Sequence, residues 1–177
     1  VIFQPGEHGS RGGGELFQAV QYGDSATAPE ITPVEGWEFI GWDADFANVT
    51  SDMTVTAQYE QREYSVAFDL GEFGFSSGGG ALEQTVLHGN SAEEPDVTAV
   101  DGWEFIGWDT GITNVTEDLA VNARYSPIDN DADSLPDAWE QQIIDASSED
   151  NITTIEDVKP GDDFNGSGRS NRLEYAF

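Results

Sequence analysis

"VEGWEFIGWDADFANVTSDMTVTAQY" (34–59) returns as "VDGWEFIGWDTGITNVTEDLAVNARY" (100–125), an offset of 66 residues. Self-similarity at a fixed spacing means one folding unit used twice, so the fold of residues 1–125 reduces to the fold of one copy. Upstream, "VIFQPGEHGSRGGG" (1–14) returns as "VAFDLGEFGFSSGGG" (66–80), at an offset of 65 until the glycines. The one inserted residue falls in the loop ahead of the glycine triplet, where chain length varies most freely.

Each copy reads as four short strands. Val1–Phe3 and Val66–Phe68 open the copies, and Leu16–Tyr22 and Leu82–His88 follow the glycines. Trp37–Asp43 and Trp103–Asp109 come next, and Thr54–Tyr59 and Leu119–Tyr125 close them. "TVTAQY" (54–59) alternates with period two, as a half-buried strand does. The glycine triplets read as loops. "GDSATAPEITPVEG" (23–36) and "GNSAEEPDVTAVDG" (89–102) are rich in Pro, Gly and small residues, with room for little more than a helical turn. In "GWEFIGW", strict alternation sets Trp37, Phe39 and Gly41 on one side and Glu38, Ile40 and Trp42 on the other. Paired tryptophans suit either a sugar-stacking platform or a core. A unit this small depends on large aromatics for buried area, which favours the core.

The V-x-F opening, the Gly-rich turn, the strand ending at Gly23 or Gly89, "GWEFIGW" and the closing strand to Tyr59 or Tyr125 together resemble the internalin-type B repeat, or Listeria–Bacteroides repeat. The resemblance implies a small β-grasp unit, used in tandem on secreted or wall-attached bacterial proteins as a spacer or adhesive module. It implies no catalytic residues.

Composition narrows the partners. Acidic residues number 35 against 6 basic, a formal charge of −29. Nucleic acid is excluded as a partner, because its binding rests on Lys and Arg neutralising phosphates, and anionic membrane surfaces are excluded on the same ground. The charge is spread: residues 1–62 carry 10 acids, 63–127 carry 12 and 128–177 carry 13. There is no cysteine, so disulfides, thiolate chemistry and cysteine-bound zinc fall away. No apolar run is long enough to span a membrane and no signal peptide is present. Val1 starts in strand-like sequence, as a mature or excised fragment would.

Catalysis finds no support. His8 and His88 fall at different places in their copies, and no Ser-His-Asp set, phosphate-cradling loop or His-x-x-x-His pair is present. Where acids are so abundant, a carboxylate pair carries no information about glycoside hydrolysis. Lys159 is the only lysine and lies outside both repeats, which excludes a Lys–Asn cross-link within either. "NVT" (48–50, 114–116) recurs at a turn before the last strand and reads as turn chemistry rather than a glycosylation signal.

"DNDADSLPDAWE" (129–140) crowds like charges that repel unless something neutralises them. With Asp129 at position 1, oxygen ligands fall at 1, 3, 5, 9 and 12: Asp129, Asp131, Asp133, Asp137 and Glu140, with the Leu135 carbonyl at 7. That spacing collects the six to eight oxygens a calcium ion takes in an EF-hand. Pro136 suits a helix start, and Trp139, Ile143 and Ala146 form an apolar stripe behind it. "DFNGSGRSNRLE" (163–174) repeats the plan with Asp163, Asn165, Ser167, the Arg169 carbonyl, Asn171 and Glu174. The first loop has Ser134 where position 6 favours glycine; the second has Gly168 there but less charge. The first is therefore the stronger calcium site. Between the loops, Ile152, Ile155 and Val158 stand at helical spacing, with Thr153 and Glu156 as a capping box. Leu173 and Phe177 offer a face to the first helix. The region resembles the calcium-binding pairs of dockerins and thrombospondin type 3 repeats.

The expected fold is mainly β: two small β-grasp-like repeats (1–62 and 63–126) and a small α-helical EF-hand-like module (127–177). The expected role is a non-enzymatic calcium-binding spacer or adhesive module, extracellular or on a bacterial cell surface. Its partners would be calcium and neighbouring modules or subunits. The alternatives are a self-assembling filament or surface-layer subunit, and a glycan-binding module using exposed Trp.

Overall fold

The computed structural model describes residues 1–147 and 152–175. The first repeat contributes β1 (Ile2–Gln4), β2 (Gly9–Gly13), β3 (Glu30–Pro33), β4 (Trp37–Trp42) and β5 (Thr54–Gln61). The second contributes β6 (Glu63–Asp69), β7 (Gly74–Gly79), β8 (Glu83–Leu87), β9 (Pro95–Ala99), β10 (Trp103–Trp108) and β11 (Leu119–Pro127). Helix is confined, among the described residues, to the C-terminal segment: α1 (Asp137–Ala146), a 3-10 turn (Ile155–Asp157) and α2 (Asn171–Tyr175). The protein is thus mainly β, with small β repeats ahead of a short helical region.

In the first repeat β5 is the central strand, parallel to β1 with Phe3 opposite Val55, and antiparallel to β4 with Phe39 opposite Tyr59. Phe3 and Val55, both fully buried, form the core with Ala26 and Val49, and Trp42, Phe46 and Met53 pack around them. In the second repeat β10 pairs antiparallel with β11 in the register of β4 with β5, and β6 pairs antiparallel with β8. By compactness the chain divides into two units. One holds Val1–Ala67, Glu83–Glu93 and Ile112–Leu119; the other holds Phe68–Leu82, Glu94–Gly111 and Ala120–Phe177.

The glycine stretches are strands, not loops. β2 pairs antiparallel with β3, and β7 with β9, so "EITP" and "PDVTA" inside the supposed connectors are strands too. Glycine is a poor strand former alone, but here its missing Cβ makes room for the partner strand. A Cβ on Gly12 would stand 2.8 Å from the Thr32 hydroxyl oxygen, and one on Gly13 2.8 Å from a Glu30 carboxylate oxygen.

A second correction concerns the tryptophans. A β-bulge between Phe39 and Gly41, repeated between Phe105 and Gly107, adds one residue to the strand. It requires Gly41 at φ 138° and Gly107 at φ 114°, conformations open to glycine. The extra residue switches Trp42 to the face of Phe39, with ring centroids 5.4 Å apart, and sets Trp42 edge-on to Phe3 at 4.9 Å. Phe105, Trp108 and Phe68 repeat the cluster. Trp37 stacks on His8 and Trp103 on Phe73. All four tryptophans are half-buried in these contacts, while Ile40 and Ile106 are left exposed.

Leu16–Tyr22 does not form the expected strand; a single bridge joins Ile2 to Phe17, whereas the matching Glu83–Leu87 is fully paired. In the C-terminal region Ala146 is exposed, so the apolar stripe of α1 rests on Ile143 with half-buried Trp139. Ile155 lies in a turn of only three residues, and the capping box uses Thr154 and Asp157 instead of Thr153 and Glu156. The expected Leu173–Phe177 face lies outside the described side chains.

Candidate metal site

The first loop begins where β11 ends. Ile128 N–H donates to Gly102 O at 2.9 Å, and Asp137 N–H donates back to Ile128 O at 2.9 Å. Between these anchors the chain wraps around its own carboxylates. Asp129 accepts from the N–H groups of Asp133 (3.3 Å) and Ser134 (3.0 Å), and Asp133 accepts from that of Leu135 at 2.9 Å. The turn needs positive φ at Ala132 (59°) and Ser134 (79°). Leu135 is fully buried against Ile143 and Val158, and this contact directs α1 so that its first turn presents Glu140 to the loop.

One carboxylate oxygen from each of Asp129, Asp131 and Asp133 lies within 4.8 Å of the others. That spread matches ligands about 2.3–2.6 Å from a shared calcium ion. Glu140 is fully buried, and neither of its carboxylate oxygens has a hydrogen-bond partner. One Asp133 oxygen is likewise buried without a partner. Burial first, then the carboxylates of Asp131, Asp133, Asp137 and Asp129, push Glu140 up to about 7. Burial and the adjacent Asp133 also raise Asp131. A buried carboxylate with both oxygens unpaired is costly, so the group takes up a proton or sits beside a cation.

Asp137 has hydrogen-bond partners of its own. Its carboxylate accepts from Asn130 N–H at 2.7 Å and from the Asn130 side-chain amide, tying residues 130 and 137 together across the loop. The sequence reading overlooked Asn130; an amide seven residues ahead of an Asp was the available signal. The chain also enters this loop from a strand, not from the helix that opens an EF-hand.

The second loop has the same backbone plan 34 residues on. Asp163 accepts from the N–H groups of Ser167 (2.9 Å) and Gly168 (2.7 Å), as Asp129 does from Asp133 and Ser134. Phe164 N–H donates to Asn171 Oδ1 and Asn171 N–H to Asp162 O, repeating Asn130, Asp137 and Ile128. Gly166 (φ 69°) and Gly168 (φ 83°) stand where Ala132 and Ser134 do. Arg169 N–H donates to the Ser167 hydroxyl oxygen at 3.2 Å. The chemistry differs, however. Glu174 accepts from the Asn165 amide at 3.1 Å and from the Ser167 hydroxyl, so neutral donors satisfy the acid that in the first loop has none.

Comparison with known proteins concerns the repeats. Residues 1–72 match the Divergent InlB B-repeat domain, and residues 72–130 match the Listeria-Bacteroides repeat domain. Two proteins of Evansella cellulosilytica are similar to the chain over 56% of its length. One, provisionally described as a membrane protein, is 30% identical over 110 residues. The other, provisionally described as a Gly-rich membrane protein, is 32% identical over 111. The chain spans only 16% and 12% of their lengths. No solved structure matches the chain. No helix among the described residues is long and apolar enough to cross a membrane. Residues 1–130 thus match tandem repeats of the B type, in keeping with the internal offset of 66 residues.

Proposed function

We propose that this chain is a calcium-binding spacer or adhesive segment of a bacterial surface protein, with two B-type repeats ahead of a loop that holds one calcium ion more tightly than the loop after it. The reading is non-enzymatic: the repeats supply reach, and the ion orders the C-terminal segment. Surface association is supported by the repeat family and by the membrane descriptions of the Evansella proteins. Calcium is supported by one observation above all, the buried Glu140 with unpaired oxygens, whose carboxyl feels the charges of the clustered Asp129, Asp131 and Asp133.

In the bound state Asp129, Asp131, Asp133, the Leu135 carbonyl and Glu140 would hold the ion, with Asp137 tying the loop shut through Asn130. Magnesium suits the set less well, since it demands near-octahedral geometry and retains its water. The second loop, with Asp163, Asn165, Ser167, Arg169, Asn171 and Glu174, is the weaker site.

Calorimetric titration of chelator-stripped protein with calcium tests the reading. One dominant site is expected, with Kd in the range of about 10⁻⁵ to 10⁻³ M usual for extracellular modules, and Asp131→Ala removes it. Chelation should shift the amide resonances of residues 128–147 and leave those of β4 and β5 unchanged. No heat in the wild type, or an unaltered isotherm in Asp131→Ala, would overturn it.

A further inference from the structure

Gly36 and Gly102 are equivalent turn positions, 66 residues apart, at φ 79° and 82°. Each sits just ahead of a strand pair, with Trp37 opposite Gln61 and Trp103 opposite Pro127. The closing strand then runs one residue further. Arg62 N–H donates to Gly36 O at 2.8 Å, and Ile128 N–H donates to Gly102 O at 2.9 Å. The carbonyls of Arg62 and Ile128 take their donors from different sources. At the first turn His88 N–H donates to Arg62 O at 2.8 Å, and the His88 ring lies so close that a Cβ on Gly36 would stand 2.2 Å from it. At the second turn Asp137 N–H donates to Ile128 O at 2.9 Å, and the Ala138 methyl stands 3.3 Å from where a Cβ on Gly102 would lie. The acidic loop and the start of α1 thus do at Gly102 what the residue after β8 does at Gly36.

The second closure is built from the flanks of the ligand set. Ile128 precedes Asp129, and Asp137 and Ala138 share the first turn of α1 with Glu140. Asp129, Asp131 and Asp133 cluster, and Glu140 is buried with both oxygens unpaired. With these acids ionised and no cation among them, their repulsion acts between the two chain segments that the Asp137–Ile128 hydrogen bond joins. An ion shared by Asp129 and Glu140 turns that repulsion into attraction across the same bond. Among the described residues this cluster is the one set of three such ligands, so the closure at Gly36 has no counterpart.

We propose that calcium fastens the C-terminal loop onto the second repeat: ion binding is coupled to the order of the Gly102 turn, while the Gly36 turn, closed by His88, is indifferent to calcium. This rests on the calcium reading above and extends the reach of the ion beyond the loop, into residues 100–103. The coupling is reciprocal by thermodynamic linkage, so a change that loosens the loop from the Gly102 turn weakens calcium binding by the same factor.

Amide exchange on the full chain, in chelator and in millimolar calcium, compares two equivalent hydrogen bonds: Trp103 N–H to Val100 O and Trp37 N–H to Val34 O, both 3.1 Å. Calcium should slow exchange of the Trp103 amide about ten-fold and leave that of Trp37 unchanged. Calcium-dependent resonances at residues 129–137 with unchanged exchange at Trp103 would overturn the coupling and leave calcium binding standing. No response anywhere from 129 to 140 would overturn both, and equal slowing at Trp103 and Trp37 would refute the indifference of the first turn. Gly102→Ala tests the reverse direction, with Gly36→Ala as its control: both place a Cβ at the same strained φ, but only the first presses on Ala138. Calorimetry should show calcium held about five-fold more weakly in Gly102→Ala and with wild-type affinity in Gly36→Ala, slow Val55 and Val121 amides confirming that each variant is folded. Wild-type affinity in folded Gly102→Ala would refute the coupling.

Discussion

Ser134 and Gly168 hold the same backbone conformation, φ 79° and 83°, 34 residues apart in loops of the same hydrogen-bonding plan. Only the glycine is at ease there. A left-handed L-residue costs about 1 kcal/mol, so the loop with the better ligands carries the worse backbone. Ser134→Gly is expected to stabilise the ordered first loop by about that amount and to tighten calcium binding up to about five-fold, measured by calorimetry. Weaker binding would show that Ser134 contributes through its side chain.

Glu140 sets a pH dependence. Its carboxyl is pushed up to about 7 in the metal-free fold, against about 4.3 in an unfolded chain. The metal-free fold therefore prefers the proton. Its stability is greatest below the unfolded value and falls as pH rises through 7. Calcium must displace that proton, so affinity rises with pH over the same window. Titrations at pH 5.5 and 8 should show weaker binding at the lower value, with proton release at neutral pH.

Glu140→Gln separates the two roles of this side chain. Without calcium the variant should melt above the wild type at pH 8, because a buried charge is gone; with calcium it should melt below, because the closing ligand is gone. Thermal melts followed by Trp139 fluorescence, in chelator and in millimolar calcium, check the crossing.

Asn165→Asp combined with Ser167→Asp should turn the second loop into a stronger site. Both substitutions remove a donor to Glu174 and add a carboxylate at a ligand position. The expected stoichiometry moves from one dominant calcium ion towards two, read by calorimetry; an unchanged isotherm would show that the loop's backbone does not open to an ion.

Gly74 stands against Tyr125, whose hydroxyl donates to Leu70 O at 2.9 Å; a Cβ on Gly74 would lie 2.1 Å from that hydroxyl oxygen. Gly9 and Tyr59 repeat the arrangement with Pro5 O. Gly74→Ala should therefore cost about 2–3 kcal/mol by overpacking, against about 1 kcal/mol for Tyr125→Phe, which loses one hydrogen bond. Denaturant melts that reverse this order would refute the packing account.

The sequence by itself determined the repetition, the β character of each copy and the oxygen-bearing side chains at positions 1, 3 and 5 of two loops, because each is a pattern local to a few residues. What it misjudged depended on distant partners. Glycine strands formed because Glu30–Pro33 and Pro95–Ala99 lie across from them, and Trp42 changed face through one bulge residue that no alternation predicts. Leu16–Tyr22 and Glu83–Leu87 look alike as sequence, yet only the second has Glu63–Ala67 alongside. Tertiary structure also decided that Asp137 binds Asn130 and that Glu140 is buried without a partner. Spacing along a chain fixes which side chains share a loop, but burial and pairing are set by what folds against it.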